Sequence, residues 1–207
     1  MNNYTFYTFI STLISYIYTK LFFKKSKLIR YPISIRGKKY INFGSNLVTG
    51  KYCRIDAFGK EKNITILSFG DNCQLNDSVH IGAIDNIKIG NNVLIASRVF
   101  ITDHQHGNYN GEKHSHPLEI AKERKLSSMP VTINDNVWIG EGVAVLPGVT
   151  IGKNSIIGAN AVVTQSVPEN CIAVGIPAKV IKKFNFKKNC WQKVPLENES
   201  ENNESQN

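Results

Sequence analysis

INDNVWIGEGVAVLPGVTIGKNSIIGANAVV, residues 133–163, carries an aliphatic side chain at every sixth position: Ile133, Ile139, Val145, Ile151, Ile157 and Val163. Glycine often follows, as at Gly140, Gly152 and Gly158, and four residues past each aliphatic position stands a small or β-branched one: Val137, Val143, Val149, Ser155, Ala161 and Val167. A helix would scatter these positions around its axis. A single strand alternates with period two. A coil with three short flat faces gives each hexad one face, turns every aliphatic residue inward and leaves the corners to Gly or Asn. Coils of this kind stack backbone on backbone at about 4.8 Å. The spacing therefore predicts a parallel β-helix, a solenoid.

The same period extends towards the N-terminus through Ile89, Ile95 and Ile101, and through Phe69, Leu75 and Ile81, with a weaker start at Phe43, Thr49 and Ile55. Two extra residues lie between Ile81 and Ile89, and a long segment follows Ile101. Cys53 and Cys73 fall at interior-type positions and read as small buried hydrophobes. With Cys171 and Cys190 they form no C-x-x-C pair, which excludes a thiolate zinc site and a disulfide-stapled secreted miniprotein. The segment 103–130 breaks the repeat and holds His104, His106, His114 and His116, four of the five histidines. Long insertions in a compact domain are often functional.

The chain has 207 residues and a net charge of +9, unevenly spread. Residues 1–55 hold ten Lys or Arg and no acid; residues 56–207 hold fifteen Lys or Arg against sixteen Asp or Glu. The basicity is one local patch rather than a whole-surface nucleic-acid footprint, so no nucleic-acid partner is expected. Residues 1–30 read as an apolar and basic N-terminal helix. Tyr7, Ile10, Ile14, Ile17 and Leu21 share one helical stripe, and Thr5, Thr8, Thr12, Ser15 and Thr19 another. As a signal peptide it lacks a basic start and a cleavage site, which predicts a cytoplasmic protein. As a membrane span it is short and interrupted by hydroxyls and Lys20. Packing on the protein's own body or a neighbouring subunit, an interfacial position at the inner face of an anionic membrane served by the basic flank, and a true span are the readings left open. Residues 31–183 form the solenoid domain and 184–207 a C-terminal extension. The Lys179–Trp191 stretch suits a short closing helix or an extended arm, and the polar tail after Val194 is expected to be disordered.

Between Ile41 and Lys183 the sequence resembles the hexapeptide-repeat acyltransferases, and among them the maltose/galactoside-type O-acetyltransferases acting on bacterial capsule, lipopolysaccharide or exopolysaccharide sugars. The motifs that carry the resemblance are Ile89-Gly-Asn-Asn-Val-Leu-Ile-Ala, Asn136-Val-Trp-Ile-Gly, Leu146-Pro-Gly-Val-Thr-Ile-Gly, Ile157-Gly-Ala-Asn-Ala-Val-Val-Thr and Gly175-Ile-Pro-Ala-Lys-Val-Ile. The resemblance implies an all-β, left-handed parallel β-helix. It implies a homotrimer with sites between neighbouring solenoids, acetyl-CoA as donor, a glycan acceptor and no metal. It places the general base at His106, with His104 as the competitor. It places acceptor contacts at Asn76 and Asp85, and acetyl-CoA contacts at Trp138, Gly140, Gly158, Ala159, Thr164, Lys179 and Lys182. Gln165 stands where relatives often have Lys.

Such chemistry needs a base because a sugar hydroxyl is a poor nucleophile. A neutral imidazole that takes its proton speeds attack on a thioester by a factor on the order of 10²–10⁴. No Ser or Cys sits in a motif suited to an acyl-enzyme, so transfer is expected to be direct. Two rivals use the same scaffold. Zinc carbonic anhydrases need three histidines converging between subunits, for which His80 with two loop histidines is the set to test. N-acetyltransferases of nucleotide-linked amino sugars carry a separate nucleotide-binding N-terminal domain, larger than the helix here.

Overall fold

The computed structural model describes residues 5–61 and 64–194. Three parallel sheets form the faces of a triangular prism. The first face runs through Leu28–Ile29, Val48–Thr49, Gln74–Leu75, Leu94–Ile95, Trp138–Ile139 and Ile156–Ile157 to Cys171–Val174. The second runs through Ser34–Arg36, Arg54–Ala57, His80–Ala83, Phe100–Thr102, Ala144–Val145 and Val162–Val163. The third runs through Ile41–Asn42, Leu67–Phe69, Ile87–Ile89, Val131–Ile133 and Thr150–Ile151. Registers such as Ile95 beside Ile139 and Ile139 beside Ile157 stack the period-six residues directly above one another.

These stacks are the core. Ile81, Ile95, Ile101, Ile133, Ile139, Val145, Ile151, Ile157 and Val163 are all fully buried, as are Val79, Val93, Val143 and Ala161 at the companion positions. Each large aliphatic residue so buried is worth about 1.5–3 kcal/mol. Cys53, Cys73 and Cys171 are buried among them, and burial pushes their thiols up. The solenoid begins one coil earlier than the clearest repeat. Ile29, Ile35 and Ile41 hold the same spacing of six, and Ile29 is buried beside Thr49.

One corner is an asparagine column. Asn46, Asn72, Asn92, Asn136, Asn154 and Asn170 all have φ between 55° and 59°. Their side chains form a ladder from coil to coil, each Nδ2 donating to the next Oδ1 at 2.8–3.3 Å. Asn tolerates the left-handed conformation better than other side chains, and stacked amides satisfy one another.

At the N-terminal end α1 (Phe6–Phe22) lies along the edge strand Leu28–Ile29. Its hydroxyl stripe, not its apolar one, faces the solenoid: Ser15 and Thr19 are fully buried. The Ile29 N–H donates to Thr19 Oγ1 (2.8 Å) and the Tyr31 N–H to Ser15 Oγ (3.1 Å). Four helical residues rise about 6 Å and two strand residues about 6.6 Å, so the two hydroxyls match the two amides. These bonds satisfy an otherwise open sheet edge. No helix among the described residues is long and apolar enough to cross a membrane. At the C-terminal end Lys179–Asn185 and Cys190–Lys193 add antiparallel to the first face, an extended arm rather than a helix. The tail expected to be disordered lies outside the described residues from position 195 onward.

Candidate active site

The insertion leaves the solenoid at the corner between the second and third faces. His104–His106 pairs antiparallel with Leu126–Ser128, so the insertion opens as a two-stranded ribbon. Its far part is tied back by Tyr109, whose hydroxyl donates to the His106 carbonyl (2.6 Å), and by Arg124, which donates to Tyr109 Oη and the Pro117 carbonyl (both 2.9 Å).

At the foot of the ribbon Asp103 is fully buried. Its carboxylate accepts from the backbone N–H groups of Ile84, Asp85 and Asn86 at 2.9–3.1 Å. It also meets His104 Nδ1 at 2.9 Å. A carboxylate can only accept, so in the neutral ring Nδ1 is the nitrogen that carries the proton and Nε2 the one with the lone pair. Thr102 Oγ1 lies 3.2 Å from the same Nδ1, accepts from the His104 N–H and donates to the His104 carbonyl. The His104 ring stands over Gly82 and is 24% exposed, held yet reachable. His106 is two residues further along the strand, on the same side of the ribbon, and exposed. Asp85 lines a cavity of about 260 Å³ between Lys60, Ile64, Ile66 and the ribbon residues Leu126 and Ser128.

The remaining candidate residues lie elsewhere. Trp138 is 49% exposed on the first face, in line with Ile156, Ile172 and Lys182. Beside it runs a second row through Gly140, Gly158, Val174 and Lys179. An aromatic start and a cationic end are thus separated by three strand spacings, about 14 Å. Asn76 occupies the same corner column as Gly140, two coils earlier, and Ala159 lies beside Gly140 on the next coil. The glycines have a packing reason of their own. A Cβ on Gly140 would stand 2.7 Å from the Ala159 nitrogen, and one on Gly158 the same distance from Val174 Cγ1. Thr164 is not part of this track. It follows Val163 as Thr102 follows Ile101, on the His104 corner. Six residues separate Asn76 from Gly82, a full face of the prism, up to about 20 Å. One protomer therefore presents an Asn76–Trp138–Gly158 edge and a separate His104–Thr164 edge.

A cluster that sequence reading passed over lies on the second face. Asp56, nearly fully buried, accepts from Arg36 Nε (2.6 Å) and Nη2 (2.5 Å) and from Arg54 Nε (2.7 Å). Burial pushes the Asp56 carboxyl up, but the hydrogen bonds and charges of the two arginines outweigh it and hold it below the usual carboxylate range. The His80 ring packs at a tilt against Phe100, with centroids 5.1 Å apart, and burial together with the Arg54 charge lowers its pKa despite Asp56. Arg54 and Asp56, two residues apart on one strand, with Arg36 one coil earlier and in register with Asp56, were the available signal. Among the described residues of one copy no three His, Cys, Asp or Glu side chains gather as a metal site.

The three-faced solenoid of hexads is matched by a class of transferases. The family model described as bacterial transferase hexapeptide (six repeats) matches residues 130–165. The chain is 44% identical to the "Putative lipopolysaccharide biosynthesis O-acetyl transferase WbbJ" of Escherichia coli strain K12, over 90% of this chain and 93% of that one. With a match of that extent the chain belongs to the hexapeptide-repeat transferase family, and its solenoid is the left-handed parallel β-helix. It is also 39% identical to a galactoside O-acetyltransferase of Escherichia coli, over 58% of this chain and 55% of that protein. Among solved structures, a mutant N-acyltransferase from Bacillus cereus, in complex with dTDP-4-amino-4,6-dideoxyglucose and coenzyme A, superposes with a TM-score of 0.64. That match is 21% identical and covers 88% of this chain and 89% of the other, so it bears on the fold alone.

Proposed function

We propose that this protein transfers the acetyl group of acetyl-CoA to a sugar hydroxyl of a bacterial surface polysaccharide, of the lipopolysaccharide or capsule kind. The observation that carries the reading is the 44% identity, along nearly the whole chain, to a protein named for O-acetyl transfer in lipopolysaccharide biosynthesis. The Asp103–His104 pair supplies the chemistry. His104 Nε2 takes the hydroxyl proton as the sugar oxygen bonds to the thioester carbonyl carbon. The carbon–sulfur bond breaks, and the CoA sulfur leaves with that proton returned from the imidazolium. Asp103 keeps the ring in the tautomer and orientation this requires. His104 is preferred to His106 because only His104 has a buried partner on its second nitrogen.

Trp138 would border the acyl end of the donor, and Lys179 and Lys182 its phosphates; Gln165 offers no charge for them. The active unit in this reading is a homotrimer. The His104–Thr164 edge of one copy meets the Asn76–Trp138–Gly158 edge of the next, since a single copy holds them a face apart. The test is acetyl-CoA turnover on acidic and neutral bacterial glycans and on amino sugars, with mass spectrometry of the products. An ester-linked acetyl on a glycan is expected, and an exclusively amide-linked product overturns the reading. His104→Ala should lower kcat at least about a hundredfold with little change in acetyl-CoA affinity. His106→Ala should retain most of the turnover; the opposite pattern moves the base to His106.

A further inference from the structure

The orientation of α1 is fixed by hydrogen bonds, and it is the reverse of what burying apolar surface would choose. Ser15 and Thr19 face the edge strand, so the stripe of Phe6, Phe9, Leu13, Ile14, Ile17 and Leu21 is turned away from the solenoid. Each of these six side chains is between 45% and 83% exposed. An aromatic and aliphatic stripe of this size, contiguous along a helix, marks an interaction surface.

Its surroundings say what kind. The first 55 residues contain ten Lys or Arg and no acid. Several of those lysines border the stripe. Lys20 lies 5.3 Å from the Tyr16 ring and Lys51 5.7 Å from the Tyr7 ring. Lys38 donates to the Phe22 carbonyl (2.7 Å) and covers the Phe23 ring, and Lys24 and Lys25 are exposed just past the helix. A second copy of the same surface would bring like charges together. An anionic lipid surface answers both features, with headgroup charges for the lysines and acyl boundary for the stripe.

We propose that α1 lies flat in the interface of an anionic membrane and seats the protein there by its N-terminal end. The helix is too short to span, so the attachment is peripheral and reversible. In the trimeric reading three such helices would share one end of the assembly, and their binding would reinforce. The seating itself does not depend on the acetyl transfer.

The experiment is co-sedimentation of the full chain with phosphatidylcholine vesicles, with and without phosphatidylglycerol. Binding to the anionic vesicles is expected to exceed binding to the neutral ones by about tenfold or more and to fall in high salt. The double variant Leu13→Glu/Ile17→Glu should lose vesicle binding. It should keep the wild-type melting temperature and its turnover on a soluble acceptor. Failure of the wild type to bind anionic vesicles, or equal binding to both kinds, overturns the proposal. So does a double variant that still binds but has a smaller mass in sedimentation, which would make the stripe a contact between copies. Loss of acetyl transfer with vesicle binding intact would strike the catalytic reading alone.

Discussion

Asp56 shows how a single buried charge sets acid sensitivity. Its folded pKa lies below its unfolded value of about 3.9, so it contributes stability above that value and loses it as pH falls through the folded pKa. His80 acts earlier on the same descent. Its pKa is lowered by folding, so from about 6.5 downward the unfolded chain gains protons that the folded one refuses. Arg36→Met removes two of the three donors on Asp56 and should move the onset of acid unfolding to higher pH, as followed by far-UV circular dichroism. Unchanged onset would mean that Arg54 alone holds the carboxylate. At this scale the sequence was only partly legible. A histidine pair in the insertion was visible, and Asp103 stands directly before it in the chain. Which ring it orients depends on Asp103 being drawn under the corner by the amides of Ile84, Asp85 and Asn86, eighteen residues away along the chain at Asp85. Spacing within the insertion carries no trace of that contact.

Among elements, the corner column is the most regular. Asn136 sits mid-ladder, accepting from Asn92 and donating to Asn154. Asn136→Ala loses both bonds and places a Cβ-bearing residue without local hydrogen bonding in the left-handed region. Urea unfolding should show a loss of about 2 kcal/mol. Asn136→Gly keeps the conformation and should cost less; equal losses would put the cost in the amide ladder rather than in φ. The solenoid itself could be read from the chain because coil stacking repeats one burial requirement every six residues, and Ile139 or Val145 can satisfy it without help from distant sequence. The repeat is faint in the first coil for the converse reason. Ile29, Ile35 and Ile41 keep the spacing, but no glycine follows any of them and lysines crowd between. Both helix stripes were legible, but not which of them packs: hydropathy ranks Ile and Leu for burial, whereas an open strand edge needs acceptors, and the hydroxyls of Ser15 and Thr19 supply them.

For the molecule as a whole, the two ends are finished differently: α1 lies over the first strand of the prism, and an antiparallel arm follows the last. Between them every coil presents the next with the same row of amides and carbonyls. Nothing in a hexad counts. A stack of this kind has no natural length, and an uncovered rung is a template on which another rung of any copy can settle. α1 therefore acts as a terminator of growth. Removal of residues 1–23 should expose the Ile29 and Tyr31 amides and permit end-on polymerisation, visible as elongated particles by electron microscopy and as rising light scattering with concentration. Particles of unchanged length would show that the first coil protects itself. If the truncated chain does polymerise, a seventeen-residue helix is what separates a discrete enzyme from a fibre.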